Sequence, residues 1–398
     1  MADSAALLVD EILPHQPMRQ WVLSVPFPLR FLFASKPKVM TRVVSIVYRA
    51  ISTHLAHKAG FTKPLAQTGA VTLIQRFGSA LNLNIHFHML FLDGVYIDPR
   101  HGNHVRFRHV KAPTGDELTK LTHTIAHRVG RYLERQGLLE RDAGNSYLTA
   151  QAVDASDDDP SHHLLGHSIT YRIAVGPQQG RKVFTLQTLP DCGSGNPFVS
   201  TVGEVAGFSL HAGVAARANE RNKLERLCRY VTRPPVSTKR LSMTRNGRVR
   251  YELKTPWHNG TTHVIFEPLD FISRLVALVP RPRVNLTRFH GVFAPNSKYR
   301  VQITPAKRGK VNKPGTPEDD RTPAEHRAAM TWAQRLKRVF NIDVETCSEC
   351  GGDVRIIASI EDPAVIQKIL AHLDDNATSA TSALLPDCRA SPTVGLFV

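Results

Sequence analysis

The sequence predicts an α+β protein: an antiparallel sheet with helices packed on one face, a mainly β extension and a small helical C-terminal unit. Three observations predict it. Apolar and polar residues alternate, as half-buried strands require, in runs beginning at Arg19, Gly69 and Asn84. Apolar residues recur at helical spacing over 39–59 and 117–136. The two kinds of segment do not alternate as a parallel βα array would, which favours antiparallel pairing.

RQWVLSVPFPLRFLF (19–33) opens as a strand, with Trp21, Leu23 and Val25 on one side, until the prolines intervene. In 39–59 a stripe of Met40, Val43, Val44, Val47, Ile51 and Leu55 makes an amphipathic helix, and Gly60 stands where a C-terminal cap belongs. GAVTLIQRF (69–77) and NIHFHMLFLDGVY (84–96) read as two strands of an antiparallel hairpin. The second helix, 117–136, turns Leu118, Leu121, Ile125, Val129 and Leu133 to one side. DASDDDPSHH (154–163) is acidic and loop-like, inside a surface insertion at about 143–167, and leaves His162 and His163 in solvent.

Strands resume at 168–175, 182–189 and 205–212. A helix from Ala218 to about Arg233 is stopped by Pro234 and Pro235. Residues 236–305 read as mainly β, from RVRYELKTPW and THVIFEPL, with a helix near 269–278. Lys, Gly and Pro mark a linker at 306–321. Thr322 as a cap, with Pro323 next, opens a small helical unit over 322–375. The remainder, 376–398, reads as a disordered tail.

Charge narrows the partner. The chain carries 51 Lys+Arg against 34 Asp+Glu, a net +17, which favours a polyanion, usually nucleic acid. Arginines are interleaved with apolar and aromatic residues in TRFHGVFAPNSKYR (287–300), as on a folded basic surface. No apolar run approaches the roughly 18 residues of a membrane span, and the opening residues lack the pattern of a signal peptide. A cytoplasmic, DNA-associated protein without a membrane partner is the expectation. Five scattered cysteines do not make a disulfide framework. Cys347 and Cys350 alone have metal-ligand spacing, as in one knuckle of a zinc ribbon, but no second C-x-x-C follows, so zinc there is an open question.

Two elements carry chemistry. In IHFHML, His86 and His88 are two apart on a strand and project from the same face while Phe87 enters the core. That is a two-ligand arm for a divalent metal; the alternative is a polar sheet face. In NKLERLCRYVTRPP, Leu224, Leu227, Cys228 and Val231 form a buried stripe with Tyr230 at its edge. Arg226 and Arg233, four before and three after, share the side of Tyr230. Nearby cations or a metal favour the phenolate that a nucleophilic tyrosine needs; the alternative is a packing tyrosine beside surface arginines.

A strand, then His-hydrophobic-His on another strand, then a tyrosine on a later helix resembles the order of the HUH endonucleases. Within them the chain is similar to the rolling-circle insertion-sequence transposases, in their single-tyrosine common-region branch. GAVTLIQRFGSALNLNIHFHMLFLDGVY, GFSLHAGV, ERLCRYVTRPP and MTWAQRLKRVFNIDVETCSECGG are among the segments that carry the resemblance, which runs over nearly the whole chain. Two-tyrosine members have a second tyrosine four residues on, where this chain has Pro234. The family usually begins with a cysteine-rich zinc-binding module, and this sequence starts just past it.

The resemblance implies a HUH core over 1–235. Tyr230 would cut single-stranded DNA through a 5′-phosphotyrosine, with His86 and His88 holding Mg²⁺ or Mn²⁺. Gln75 is the best-placed third ligand, with His211 next. Arg76, Arg226, Arg229, Arg233, Arg288, Lys298 and Arg300 are the expected DNA contacts, although strand alternation turns Arg76 away from Gln75. Implied partners are element ends, target DNA and host replication or helicase functions; no phosphate-binding G-x-x-x-x-G-K-[ST] loop is present. Two rivals stand beside this reading. A barrel metallohydrolase also uses H-x-H but needs eight βα units. A non-catalytic DNA-binding remnant of such a transposase is the other.

Overall fold

The computed structural model describes residues 2–97, 105–142, 145–149, 160–188, 202–307, 331–355 and 360–377. Two compact units divide the chain, Met1–Pro323 and Ala324–Val398. In chain order the first contains the helices α1 (Ala2–Ala6, continued by a π-helical turn Leu7–Ile12), α2 (Phe27–Ser35), α3 (Pro37–Lys58), α4 (Gly115–Arg135), α5 (Pro160–Ile169), α6 (Arg221–Val231), α7 (Pro268–Leu278) and α8 (Arg300–Ile303). Its strands are β1 (Met18–Ser24), β2 (Ala66–Gln67), β3 (Gly69–Phe77), β4 (Leu83–Leu92), β5 (Gly94–Ile97), β6 (Arg106–His109), β7 (Leu139–Asp142), β8 (Asn145–Leu148), β9 (Phe184–Gln187), β10 (Val202–Val205), β11 (Phe208–Ala216), β12 (Leu241–Met243), β13 (Val249–Glu252), β14 (Thr261–Phe266) and β15 (Thr287–Gly291).

The main sheet has the order β10-β11-β1-β4-β3-β15, and every neighbouring pair is antiparallel. The α+β expectation therefore holds. Alternation along the strands assigns the two faces. Ile85, Phe87, Met89 and Phe91 of β4 join Trp21 and Leu23 of β1 in a core shared with α2, α3 and α4. Phe87 stacks on Phe33 of α2, and Phe91 on Tyr48 of α3. A capping box of Thr114 and Glu117 starts α4, and Glu117 also pairs with Lys58 at the end of α3.

The opposite face is not bare. Val71, Leu73, Leu90 and Leu92 pack there against α1 with its π-turn and against α6. Helices thus cover both faces, α2, α3 and α4 on one and α1 and α6 on the other. Sequence periodicity reports that a helix has an apolar stripe but not which face of a sheet receives it.

Other differences have local causes. The run 84–96 is not one strand but two, β4 and β5, in different sheets. It breaks at Asp93, which is buried and accepts from Arg19 Nε at 2.9 Å and Nη2 at 2.7 Å. The expected strand 168–175 is the end of α5 and a turn in which Tyr171 has φ +57°. Leu165, Ile169 and Ile173 are buried there at four-residue spacing, so tertiary packing overrides the β-branched bias. His162 is not simply solvated: on α5 it meets Arg281 Nη2 at 2.8 Å and the Phe31 ring. The rest of the acidic insertion, 150–159, lies outside the described residues. Residues 236–305 do not form a layer of their own. β12, β13 and β14 recruit β9 into a four-stranded sheet, while β15 returns to the edge of the main one.

One histidine reports on the stability of that edge. His290 stacks on Tyr48 at 4.7 Å, and burial, with a smaller contribution from Arg288, lowers its pKa to about 4. An unfolded histidine near 6.5 takes a proton first. Stability from this group is complete above about pH 6.5 and is lost as pH falls toward 4. Between pH 7 and 5 the loss should reach up to about 2 kcal/mol. Urea midpoints at the two pH values should show this fall added to that of other histidines whose pKa burial lowers, such as His86, and His290→Gln should make the slope shallower by its share; an unchanged slope in that variant would place the acid sensitivity elsewhere.

In the second unit, α9 (Trp332–Phe340) starts at a capping box of Thr331 and Gln334. The expected cap at Thr322 and most of the linker lie outside the described residues, as does 378–398. Cys347 and Cys350 sit in a tight turn in which the Gly351 N–H donates to the Cys347 carbonyl. N–H groups of Cys350 and Glu349 lower the Cys347 thiol pKa. Helix α10 (Pro363–Ala377) follows. No group of three His, Cys, Asp or Glu that could hold a metal occurs among the described residues. No described helix is long and apolar enough to cross a membrane.

Candidate active site

The second face of the main sheet gathers the polar residues singled out above. His86 lies directly opposite Gln75 of β3 and opposite Ser24 of β1. His88, two residues on, is opposite Leu73 and Val22. The His86 and His88 rings are 5.0 Å apart. His86 Nδ1 faces the Asn84 carbonyl at 3.0 Å, which makes Nδ1 the protonated nitrogen and leaves Nε2 as an acceptor. Burial chiefly lowers the His86 pKa to about 4 and holds His88 well below its usual value, so both rings are neutral at neutral pH. Neutral imidazole is the form that ligates a metal.

Tyr230 is carried over this face by α6. The stripe Leu224, Leu227, Cys228 and Val231 buries against the sheet, and both ends of the helix are pinned. At its start, Arg221 donates to the carbonyls of Val9, Leu13 and Pro14. At its end, Gln75 Nε2 donates to the Val231 carbonyl at 2.8 Å. The Tyr230 ring then stands edge-on to His88, centroids 6.2 Å apart. The guanidinium of Arg233 lies 4.0 Å from the Tyr230 ring centroid, and the Lys254 amine 5.3 Å from it.

Buried polar atoms on this face lack a partner in the protein. His88 Nε2, Gln75 Oε1 and Asn84 Oδ1 make no hydrogen bond. A buried polar atom without a partner costs about 1–3 kcal/mol, so such atoms call for an ion or water. His86 Nε2, His88 Nε2 and Gln75 Oε1 make up a two-imidazole, one-amide donor set that suits a divalent cation. His211 shares the face, but β1 separates β11 from β4, with Val22 between it and His88. Two strand spacings put it about 10 Å from His88; Gln75 is on the adjacent strand.

The basic residues divide. Of the expected DNA contacts, Arg233 lies against Tyr230. Arg226 is exposed on α6, and Arg229 is ion-paired with Glu225 at 2.8 Å. Arg288 turns to the other face of the sheet, toward Thr41 of α3. Lys298 is exposed beside Tyr299, and Arg300 donates to the Phe293 carbonyl. Arg76 does not fit the expectation: it is buried, and its guanidinium donates to the carbonyls of Leu278 and Ala277, where it caps the C-terminus of α7.

Sequence reasoning missed Gln20 and Lys254. Gln20 Nε2 is 2.7 Å from His88 Nδ1, and amide orientation decides which atom faces the ring. With its oxygen toward Nδ1–H, Gln20 frees Nε2 for a ligand and fixes the ring. The signal was an amide inside a strand, on the side opposite Trp21 and Leu23; for Lys254 there was none. Gln20→Leu should raise the metal concentration needed for activity by roughly 10–100-fold without unfolding the chain. Gln20→Glu, which still accepts from Nδ1–H, should restore much of it. Equal metal requirements for Gln20→Leu and the parent would show that His88 needs no such anchor.

The fold and this face define an antiparallel α+β protein that brings a tyrosine, two neutral histidines and a cation together at a sheet surface. The model of the family described as Putative transposase matches residues 69–300, more than half of the chain. The protein belongs to this family of DNA-cleaving enzymes. No curated protein and no solved structure matches it.

Proposed function

We propose that the protein cuts and rejoins single-stranded DNA through Tyr230, in rolling-circle transposition of the HUH type. The observation that carries the reading is that His88 Nε2 and Gln75 Oε1 are buried without a partner beneath a tyrosine flanked by Arg233. His86, His88 and Gln75 would hold Mg²⁺ or Mn²⁺, which when bound would polarise the scissile phosphate as a Lewis acid. Arg233 and Lys254 attract the phosphate and offset the negative charge that develops on it. The Tyr230 oxygen forms a bond to phosphorus, the bond to the 3′ oxygen breaks, and that oxygen takes a proton to leave a free 3′-hydroxyl. The 5′-phosphotyrosine keeps the bond energy, so rejoining needs no nucleotide. Pinning of α6 at both ends keeps the attacking oxygen in place through both steps.

The test is incubation with a labelled single-stranded oligonucleotide and Mn²⁺, followed by denaturing electrophoresis. A covalent protein–DNA band that needs metal is the expected result. Salt-sensitive binding without any adduct would instead describe a DNA-binding remnant.

A further inference from the structure

The far side of the main sheet from Tyr230 carries a second charged feature, a groove of about 840 Å³ between α3 and α4. Arg42 and Arg49 line one wall, Arg128, Arg131 and Arg135 the other, with Lys63 beside them. The spacings, seven residues on α3 and three then four on α4, put each set on one side of its helix, over about 10 Å. All five arginines are exposed. None forms an ion pair with a described carboxylate, although carboxylates elsewhere in the unit pair readily.

Crowding like charges without counter-charges is unfavourable. Half-buried Lys63 registers it: its pKa is lowered, first by burial and then by Arg49 and Arg128, one from each wall. A merely solvated helix face alternates signs along its i, i+4 neighbours. This one concentrates a single sign in a concave track, which is the electrostatic footprint of a phosphate backbone.

We propose that this groove binds the backbone of a second DNA segment, separate from the strand at Tyr230. The proposal rests on the reading of the protein as a DNA strand transferase, and deepens it. Strand transfer requires two DNA segments on one enzyme, and the sheet with its long helices separates the two sites. Guanidinium groups reading phosphates give affinity with little sequence preference, as suits a segment that is held rather than cut.

The test uses the full chain carrying Arg128→Ala, Arg131→Ala and Arg135→Ala together, and separately Arg42→Ala with Arg49→Ala. Thermal melts check that each folds. Binding to a 40-nucleotide single strand, a 30-base-pair duplex and polyglutamate is titrated without metal from 50 to 300 mM salt. Both variants should lose roughly 10–100-fold in affinity for DNA, and the triple variant should lower the salt slope by about 2, the release expected for two or three phosphates. Adduct formation on an oligonucleotide ending a few nucleotides from the cut should match the parent. Parental affinity and slope on both DNA forms would overturn the proposal, and so would polyglutamate binding as tight as DNA. Binding is read without cleavage, so this groove and the Tyr230 chemistry fail or stand separately.

Discussion

Tyr230→Phe is expected to bind single-stranded DNA as the parent does and to form no covalent adduct. Only one oxygen is removed. The ring remains for the 4.0 Å contact with Arg233 and the edge-on contact with His88. The apolar stripe of α6 and its two pins, Arg221 and Gln75, do not involve the phenol oxygen. Stability should therefore change by no more than about 1 kcal/mol, the usual net worth of a hydrogen bond. Adduct yield, by contrast, should fall by at least about 10⁴-fold, since loss of a nucleophile is felt on that scale in other covalent enzymes. The measurement is denaturing electrophoresis of labelled DNA after incubation with Mn²⁺, alongside binding at fixed salt. An undiminished adduct in the variant would move the nucleophile to another residue.

How far this site could be read from sequence depends on which interactions set each feature. The strand 69–77 and the two-residue spacing of His86 and His88 follow from local alternation, and β3 has those bounds. Gln75 shares the face because register sets it opposite His86; the resemblance to related nucleases, rather than the spacing, pointed to it. Other features belong to long-range partners. Asp93 ends β4 because Arg19, 74 positions away, turns it inward. Arg76 looked like a DNA contact because a buried arginine cannot be told from an exposed one until the end of α7 is seen lying over it. The α3/α4 groove was invisible for the same reason: its two walls are spaced by some 80 residues, and only packing makes them one surface. The segment 168–175 misled because Ile and Tyr favour strands in general, whereas here Ile169 buries at the end of a helix and Ile173 beyond a turn, in a different apolar cluster.

The series His86→Ala, His88→Ala, Gln75→Ala and Gln75→Glu is expected to separate ligand from tether. Each histidine removal takes away one of two neutral imidazoles and should abolish metal-dependent cleavage, a loss on the order of 10³-fold, since the Lewis-acid contribution is worth several kcal/mol. Gln75 has two jobs in this fold: its nitrogen holds the Val231 carbonyl, and its oxygen is unpartnered on the histidine face. Gln75→Ala removes both, so it should slow cleavage even at saturating metal and should also raise the metal concentration required by roughly 10–100-fold. Gln75→Glu keeps an oxygen donor and adds charge but cannot donate to Val231. It should restore the metal requirement while retaining the slower maximal rate. Rates of adduct formation across a Mn²⁺ titration give both quantities for each variant. If Gln75→Ala titrates like the parent and only its maximal rate falls, Gln75 is a tether for α6 and not a ligand, and His211 becomes the residue to test next.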